Sequence, residues 1–219
     1  MLMVIINLAS KIGKPELKKK TETKFIFEGN HPCIDFINTQ IAVKGNILDL
    51  LEDFPDFVDW LNQAGMIMPK EAKQTLKKWK NSREAEHILE QARRLRTVLR
   101  DMIARIVAGN PVPQSTVDEI NKKLRGHVGY FQLRRIGTGF DNHFQSLSDH
   151  STQFIVPIAE SASDLLCNCD FLLIKKCENP ACVLYFYDVS KNHARRWCSM
   201  NICGNRMKAA AHYRRHRSK

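Results

Sequence analysis

Four cysteines near the C-terminal end carry the most specific chemistry in this chain. They read Cys177-x4-Cys182-x15-Cys198-x4-Cys203, two pairs with equal internal spacing joined by a hairpin-sized segment. Folded back on itself, such a segment can place four thiolates around one ion. Zinc suits that arrangement, because it asks only for a tetrahedron and prefers soft sulfur. Four sulfurs close the shell, so the spacing predicts a structural zinc and no open catalytic position. A stretch this short and charged cannot bury enough apolar surface alone. Metal binding would supply the missing folding free energy, on the order of 10 kcal/mol in comparable peptides. His193 lies between the pairs and remains a possible substitute for one sulfur. Scattered buried thiols are the plain alternative. Cys33, Cys167 and Cys169 have no partner at ligand spacing.

A second chemistry follows the last cysteine. From Lys175 to Lys219 there are eleven Lys or Arg against Glu178 and Asp188, a balance of +9 out of the chain's +11. Such asymmetry points to nucleic acid or an anionic surface. After Cys203-Gly204-Asn205-Arg206 a helix is expected through Met207 and the Ala209–Ala211 triplet toward Arg217. Arg206, Tyr213 and Arg217 fall on one face, and Lys208, His212, Arg215 and Lys219 on another. A helix with so little apolar width cannot sit in a core, and it lacks the large apolar face of a membrane-surface helix. It suits a groove between phosphate rows. The candidate DNA contacts are Lys191, Arg195, Arg196, Asn205, Arg206, Lys208, Arg214, Arg215 and Arg217, with Asn205 or Arg206 reaching a base edge. A merely solvated helix is the bland reading. RNA, or a place on the ribosome, is the competing function. Tyr185, Phe186, Tyr187 and Trp197 could stack on bases, but aromatics of a small hairpin more often pack beneath the metal.

The elements that must hold these groups are mostly helical. Ser82 to Ala108 is the surest: Ser82 as N-cap, Glu84 and Glu86 in the first turn, an apolar stripe from Ile88 to Ile106, and Gly109 at the end. Further helices are expected from Pro32, over Ile47–Ala64 with a break near Pro55, over Pro69–Lys80, from a Ser115 cap to Leu124, and over Ile155–Cys167. Strands are expected at Lys24–Phe27, Phe171–Ile174 and Val183–Tyr187, and a hairpin over 128–147 turning at Gly137-Thr138-Gly139. The fold class is α+β: a mostly helical N-terminal domain with a few short strands, plus a small zinc finger of two cysteine knuckles, a hairpin and a basic helix. The boundaries are a mobile lead-in at 1–23, the helical domain at 24–170 and the finger at 171–219. Met1–Ile6 is too short to span a bilayer and is not followed by a cleavage pattern, so neither a signal peptide nor a membrane partner is expected. A reducing, cytoplasmic setting follows, in which seven cysteines are thiols or ligands.

The tetrad Cys203-Gly204-Asn205-Arg206, its C-x4-C-x15-C-x4-C frame and the basic helix resemble the CGNR zinc finger. In that family the finger stands behind an ABATE domain of stress-induced transcription regulators. The stretch Phe25-Ile-Phe-Glu-Gly-Asn-His-Pro-Cys-Ile-Asp-Phe-Ile-Asn-Thr39 is similar to that domain's opening motif, with Asn30, Pro32 and Cys33 departing from the family's second Gly and Leu-Ala pair. Leu95-Arg96 is similar to its Leu-Arg position. The resemblance runs from about residue 24 to the end, and implies a bacterial, nucleoid-associated, DNA-binding regulator. Its N-terminal domain would then sense a ligand or mediate assembly. Asp35, Asn38, Thr39 and Arg96 are the candidate pocket for a small polar ligand, against capping and one buried salt bridge as the alternative. A homodimer formed through the helical body is expected if one short helix is to read DNA. No G-x-S-x-G, P-loop, H-E-x-x-H or Gly-rich dinucleotide turn occurs, so no enzyme is expected.

Overall fold

A computed structural model describes residues 24–126, 128–147 and 151–217, without the side chains of 143–146, 151, 152 and 217. The lead-in at 1–23 and Lys219 lie outside the described residues, as does the side chain of Arg217. The elements in chain order are α1 (Pro32–Ile37), β1 (Gln40–Val43), β2 (Asn46–Asp49), α2 (Phe54–Gln63), α3 (Pro69–Trp79), α4 (Arg83–Val107), α5 (Gln114–Leu124), β3 (Gly129–Ile136), β4 (Gly139–Ser146), α6 (Val156–Asn168), β5 (Ile174–Lys176), β6 (Tyr185–Tyr187) and α7 (Asn205–Arg217). Each pair of successive strands forms an antiparallel two-stranded sheet.

α4 is the spine. Ser82 Oγ accepts from the Ala85 amide at 3.1 Å, capping one of the orphan donors of the first turn. Its stripe Ile88, Leu95, Leu99, Met102, Ile103 and Ile106 is buried against α1, α2 and α5, while α6 closes over α1 and α5. Trp60 of α2 is wholly buried with its ring 5.0 Å from that of Phe36 in α1. The body is therefore a helix bundle, and its apolar stripes at helical spacing are what hold it together.

Five local expectations are corrected. Lys24–Phe27 is irregular and not a strand: among the described residues no strand pairs with it, and Lys24 Nζ pairs with Asp56 and Glu52 at 2.7 and 3.1 Å. Ile47 and Leu48 lie in β2, because Lys44 and Gly45 at φ +50° and +86° turn the chain into a hairpin. Pro55 opens α2 and does not break it. Asp53 caps that helix by accepting from the Asp56 amide at 2.9 Å, and Asp56 returns the bond to the Asp53 amide at 3.3 Å. α5 starts at Gln114 behind Pro113 without a side-chain cap, so Ser115 is inside it. Phe171–Leu173 is a 3₁₀ turn, and the strand follows it. The 128–147 hairpin forms as expected, with Ile136 opposite Gly139.

Candidate metal centre and basic helix

β5 and β6 pair Ile174 with Tyr187 and Lys176 with Tyr185, and the Cys177 amide extends the ladder to Leu184 O at 3.0 Å. Between them Asn179 makes the tight turn that returns Cys182: its side chain accepts from the Ala181 amide at 3.1 Å, and its carbonyl from the Cys182 amide at 2.8 Å. The Glu178 amide bonds Arg196 O at 3.0 Å, which draws the second cysteine pair alongside the first. A π turn at Met200–Gly204 then carries Cys203 inward and leads directly into α7.

The result is one cluster. The sulfurs of Cys177, Cys182, Cys198 and Cys203 all lie within 4.8 Å of one another, and those of Cys182 and Cys203 are 3.7 and 3.6 Å from that of Cys198. A tetrahedron with Zn–S of about 2.3 Å has edges of roughly 3.8 Å. The donor set therefore fits zinc in chemistry and in size. Three of the cysteines are buried, and Asn179 Nδ2 donates to Cys203 Sγ at 3.2 Å, the kind of outer bond that orients a thiolate ligand. Crowding makes the protons leave one at a time: hydrogen bonds from Cys182 and Cys198 hold Cys177 well below the usual thiol range, and Cys177 and Cys182 push Cys198 up. A divalent ion at the centre removes that conflict. His193 is not in the cluster. It sits at φ +48° with Nδ1 3.1 Å from Asp188 O.

Gly204 has a definite role. A Cβ there would stand 2.3 Å from Met200 Sδ and 3.5 Å from the Trp197 ring. Any larger residue there would have to push aside the flexible, exposed Met200 side chain.

α7 is packed on one narrow side. Met207 and Ala211 are half-buried at i, i+4, whereas Arg206, Lys208, Arg214 and Arg215 are exposed, as are Lys191, Arg196 and Asn205. Arg196 also pairs with the exposed Glu178. Arg195 points elsewhere. Its guanidinium lies over the Phe186 ring at 4.4 Å and donates to Trp197 O at 3.0 Å, to Glu28 O at 2.8 Å and to Cys198 O. It braces the finger.

β6 joins finger to body. Leu184 and Phe186 are buried beneath the cysteines, while Tyr185 between them is buried in the helical core. Asn38 meets Tyr185 with both ends of its amide, donating to its carbonyl at 2.8 Å and accepting from its N–H at 3.0 Å. Arg100 on α4 donates to Ile37 O at 2.8 Å and to Val183 O at 2.6 Å. The Tyr187 amide bonds Gly29 O at 2.8 Å, and the Gly29 amide bonds Asp35 Oδ1 at 2.7 Å. Burial pushes the Asp35 carboxyl up to about 7, with that Gly29 bond acting against it. Asp188 is fully buried; donors from Lys175, Ser190 and the Arg195 amide outweigh burial and hold its carboxyl well below the usual range.

The four residues read as a ligand pocket are therefore occupied by the protein itself. Asp35 and Asn38 serve the joint. Thr39 Oγ1 donates to Phe36 O at 2.7 Å and accepts from Arg96 at 2.8 Å, and buried Arg96 forms a two-pronged ion pair with Asp49. These contacts favour capping and a buried salt bridge over ligand binding. Arg100, Asn179 and Asp188 were not singled out by spacing. Their partners lie far off in the chain or in the backbone, and only an unexpected charge on an apolar stripe hints at Arg100.

Fold and site together define a helical body with a four-cysteine zinc finger on its C-terminal side. The family model of the ABATE domain, whose description is "Putative stress-induced transcription regulator", matches residues 30–168, and that of the CGNR zinc finger matches residues 174–216. The chain belongs to the ABATE family and carries a CGNR zinc finger. No curated protein matches it. Among the described residues no helix is long and apolar enough to cross a membrane.

Proposed function

We propose that this zinc-finger protein of a transcription-regulator family acts by docking α7 on duplex DNA, in the bacterial cytoplasm and on the nucleoid. One observation carries the reading: a helix without acidic residues, with exposed Arg206, Lys208, Arg214 and Arg215, leaves the metal cluster directly through Cys203. Zinc sets the direction of that helix. A helix of this length has little stability alone in water, so a row of phosphates would hold it as much as it holds them.

Lys191 and Arg196 extend the positive surface, and Asn205 and Arg206, nearest the metal, are the proposed base-edge contacts. Arg195 is outside the contact set because its donors are bonded to backbone carbonyls. With about five to six phosphates engaged, log K falls against log salt with a slope of about −5. Titration of a labelled duplex at several salt concentrations tests this. A salt-insensitive affinity, or binding that survives removal of zinc, sinks the reading. RNA is less well supported, since of the four aromatics that could stack on bases Tyr185 and Phe186 are buried and Tyr187 and Trp197 are half-buried. Duplex DNA, duplex RNA and single strands competing in one titration separate the two.

A further inference from the structure

The near-neutral charge of the chain outside its C-terminal segment hides a second positive face, on α3. Lys70, Lys73, Gln74, Lys77, Lys78 and Lys80 are all exposed. Glu71 is half-buried, and its carboxylate accepts from the Met68 amide at 2.8 Å. At about 100° per residue, Lys70, Lys73, Lys77 and the C-cap Lys80 fall within roughly 80° of one another. Ala72, Thr75, Leu76 and Trp79 turn the other way, into the body. Among the described residues none of these lysines is paired with a carboxylate, and Lys78 lies over the Trp79 ring at 4.6 Å.

Helix electrostatics account for only part of this stripe. Lys77 and Lys78 stand in the last turn and Lys80 at the cap, where the macrodipole favours cations. Lys70 stands in the first turn, where the macrodipole opposes a cation. Lys73 and Lys77 repel at i, i+4, as do Lys70 with Lys73 and Lys77 with Lys80 at i, i+3. A row of phosphates laid along the stripe removes both penalties. We infer that this face of α3 is a second DNA contact, holding the backbone of the same duplex on which α7 is proposed to dock. The inference rests on that reading.

Chemistry and distance both select a duplex. With its apolar side in the body, α3 offers a membrane charge but no apolar face to bury. Protein interfaces are depleted in lysine and anchored by aromatics and arginine, neither of which α3 exposes. Lysine, a flexible point charge, suits a row of phosphates. Ser82 Oγ donates to Trp79 O at 2.8 Å, tying the end of α3 to the start of α4. The finger meets α4 at Arg100. These two points are about 25 Å apart along α4 at 1.5 Å per residue, which is less than one turn of duplex.

Salt titrations of the full chain on duplexes of about 10 and about 25 base pairs test it. On the short duplex the slope of log K against log salt should stay near about −5, and on the long one it should steepen to about −8. The quadruple variant Lys70→Gln, Lys73→Gln, Lys77→Gln, Lys80→Gln preserves helix propensity, since Gln and Lys rank together. It should return the long-duplex slope to about −5 and weaken that binding at least about ten-fold. Its circular dichroism and its affinity for the short duplex should not change. Acetylation read by mass spectrometry gives a second measure: the long duplex should shield Lys70, Lys73 and Lys77, and the short one should not. Equal slopes on the two duplexes, or a variant that binds the long one as the wild type does, overturn the inference and leave the α7 reading standing. A variant unchanged on DNA but released from phosphatidylserine vesicles overturns it in favour of a membrane. If neither duplex binds the wild type, the α7 reading falls and this one falls with it.

Discussion

The helical body and the finger solve the same problem with different means. The body buries long apolar stripes, with Leu99, Met102 and Ile103 of α4 fully covered and Trp60 sealed beneath α1. The finger has Leu184, Phe186 and a ring of partly buried neighbours, and four sulfurs do the rest. Hydrophobic burial scales with the area removed from water, which a 40-residue segment does not have. A metal supplies comparable stabilisation at a single point. The difference is a matter of where stability resides: spread over many contacts in the body, concentrated in one cluster in the finger. Between them, β6 belongs to both.

Removing the metal should separate the regions most sharply. With Cys198→Ser, or with a strong chelator, the finger should lose on the order of 10 kcal/mol of folding free energy. DNA affinity should fall at least about 100-fold while the helical signal of α1–α6 persists, which circular dichroism and a binding titration measure together. Collapse of the whole helical signal would mean that the two regions share one stability.

A pH-dependent effect of intermediate size is expected at the joint. The Asp35 carboxyl titrates near 7 in the folded chain against an ordinary value of 3.8. The folded state therefore holds the extra proton between those values, and this group's contribution is complete below about pH 4 and lost as pH rises through about 7. Asp35→Asn keeps an acceptor for the Gly29 amide without a charge. It should match the wild type near pH 4 and exceed it at pH 8 by about 4 kcal/mol. Urea denaturation at the two values checks it, and equal stability at pH 8 would show that the buried charge is fully compensated.

The smallest effect should come from Asn38→Ala, which leaves the Tyr185 N–H and C=O without partners, at a cost of about 2 kcal/mol. Zinc content should stay at one per chain. Amide exchange should quicken at β5 and β6 more than along α4; equal quickening throughout would place Asn38 in the body's general stability and not in the joint.

Much of this was legible in residue order. The ligands of a metal must recur at short spacing, because a knuckle is a local turn, and Cys177 to Cys203 display that. A long amphipathic helix announces itself by period, as α4 does from Ser82 onward. Charge sums need no fold, so the basic C-terminal segment was evident at once. The turn at Gly137-Thr138-Gly139 was equally local. Ile47 and Leu48 fit a helical stripe in one dimension, yet the left-handed Lys44-Gly45 pair made them a strand. Pro55 looks like an interruption in one dimension, whereas the capped first turn of α2 welcomes it.

What sequence alone determined is the set of local codes: which cysteines can share an ion, which stretch must be a core helix, and where the positive charge lies. Tertiary structure alone decided which polar groups are free to act. Arg195 and Arg196 are neighbours of the same type, yet one is bonded inward to Glu28 and Cys198 carbonyls and the other faces solvent. Asp35, Asn38 and Arg96 met backbone or side chains that their spacing could not reveal. The reason is physical: a metal knuckle or a helix period is written within a few residues, whereas the partner of a buried polar group is chosen by packing across the whole chain.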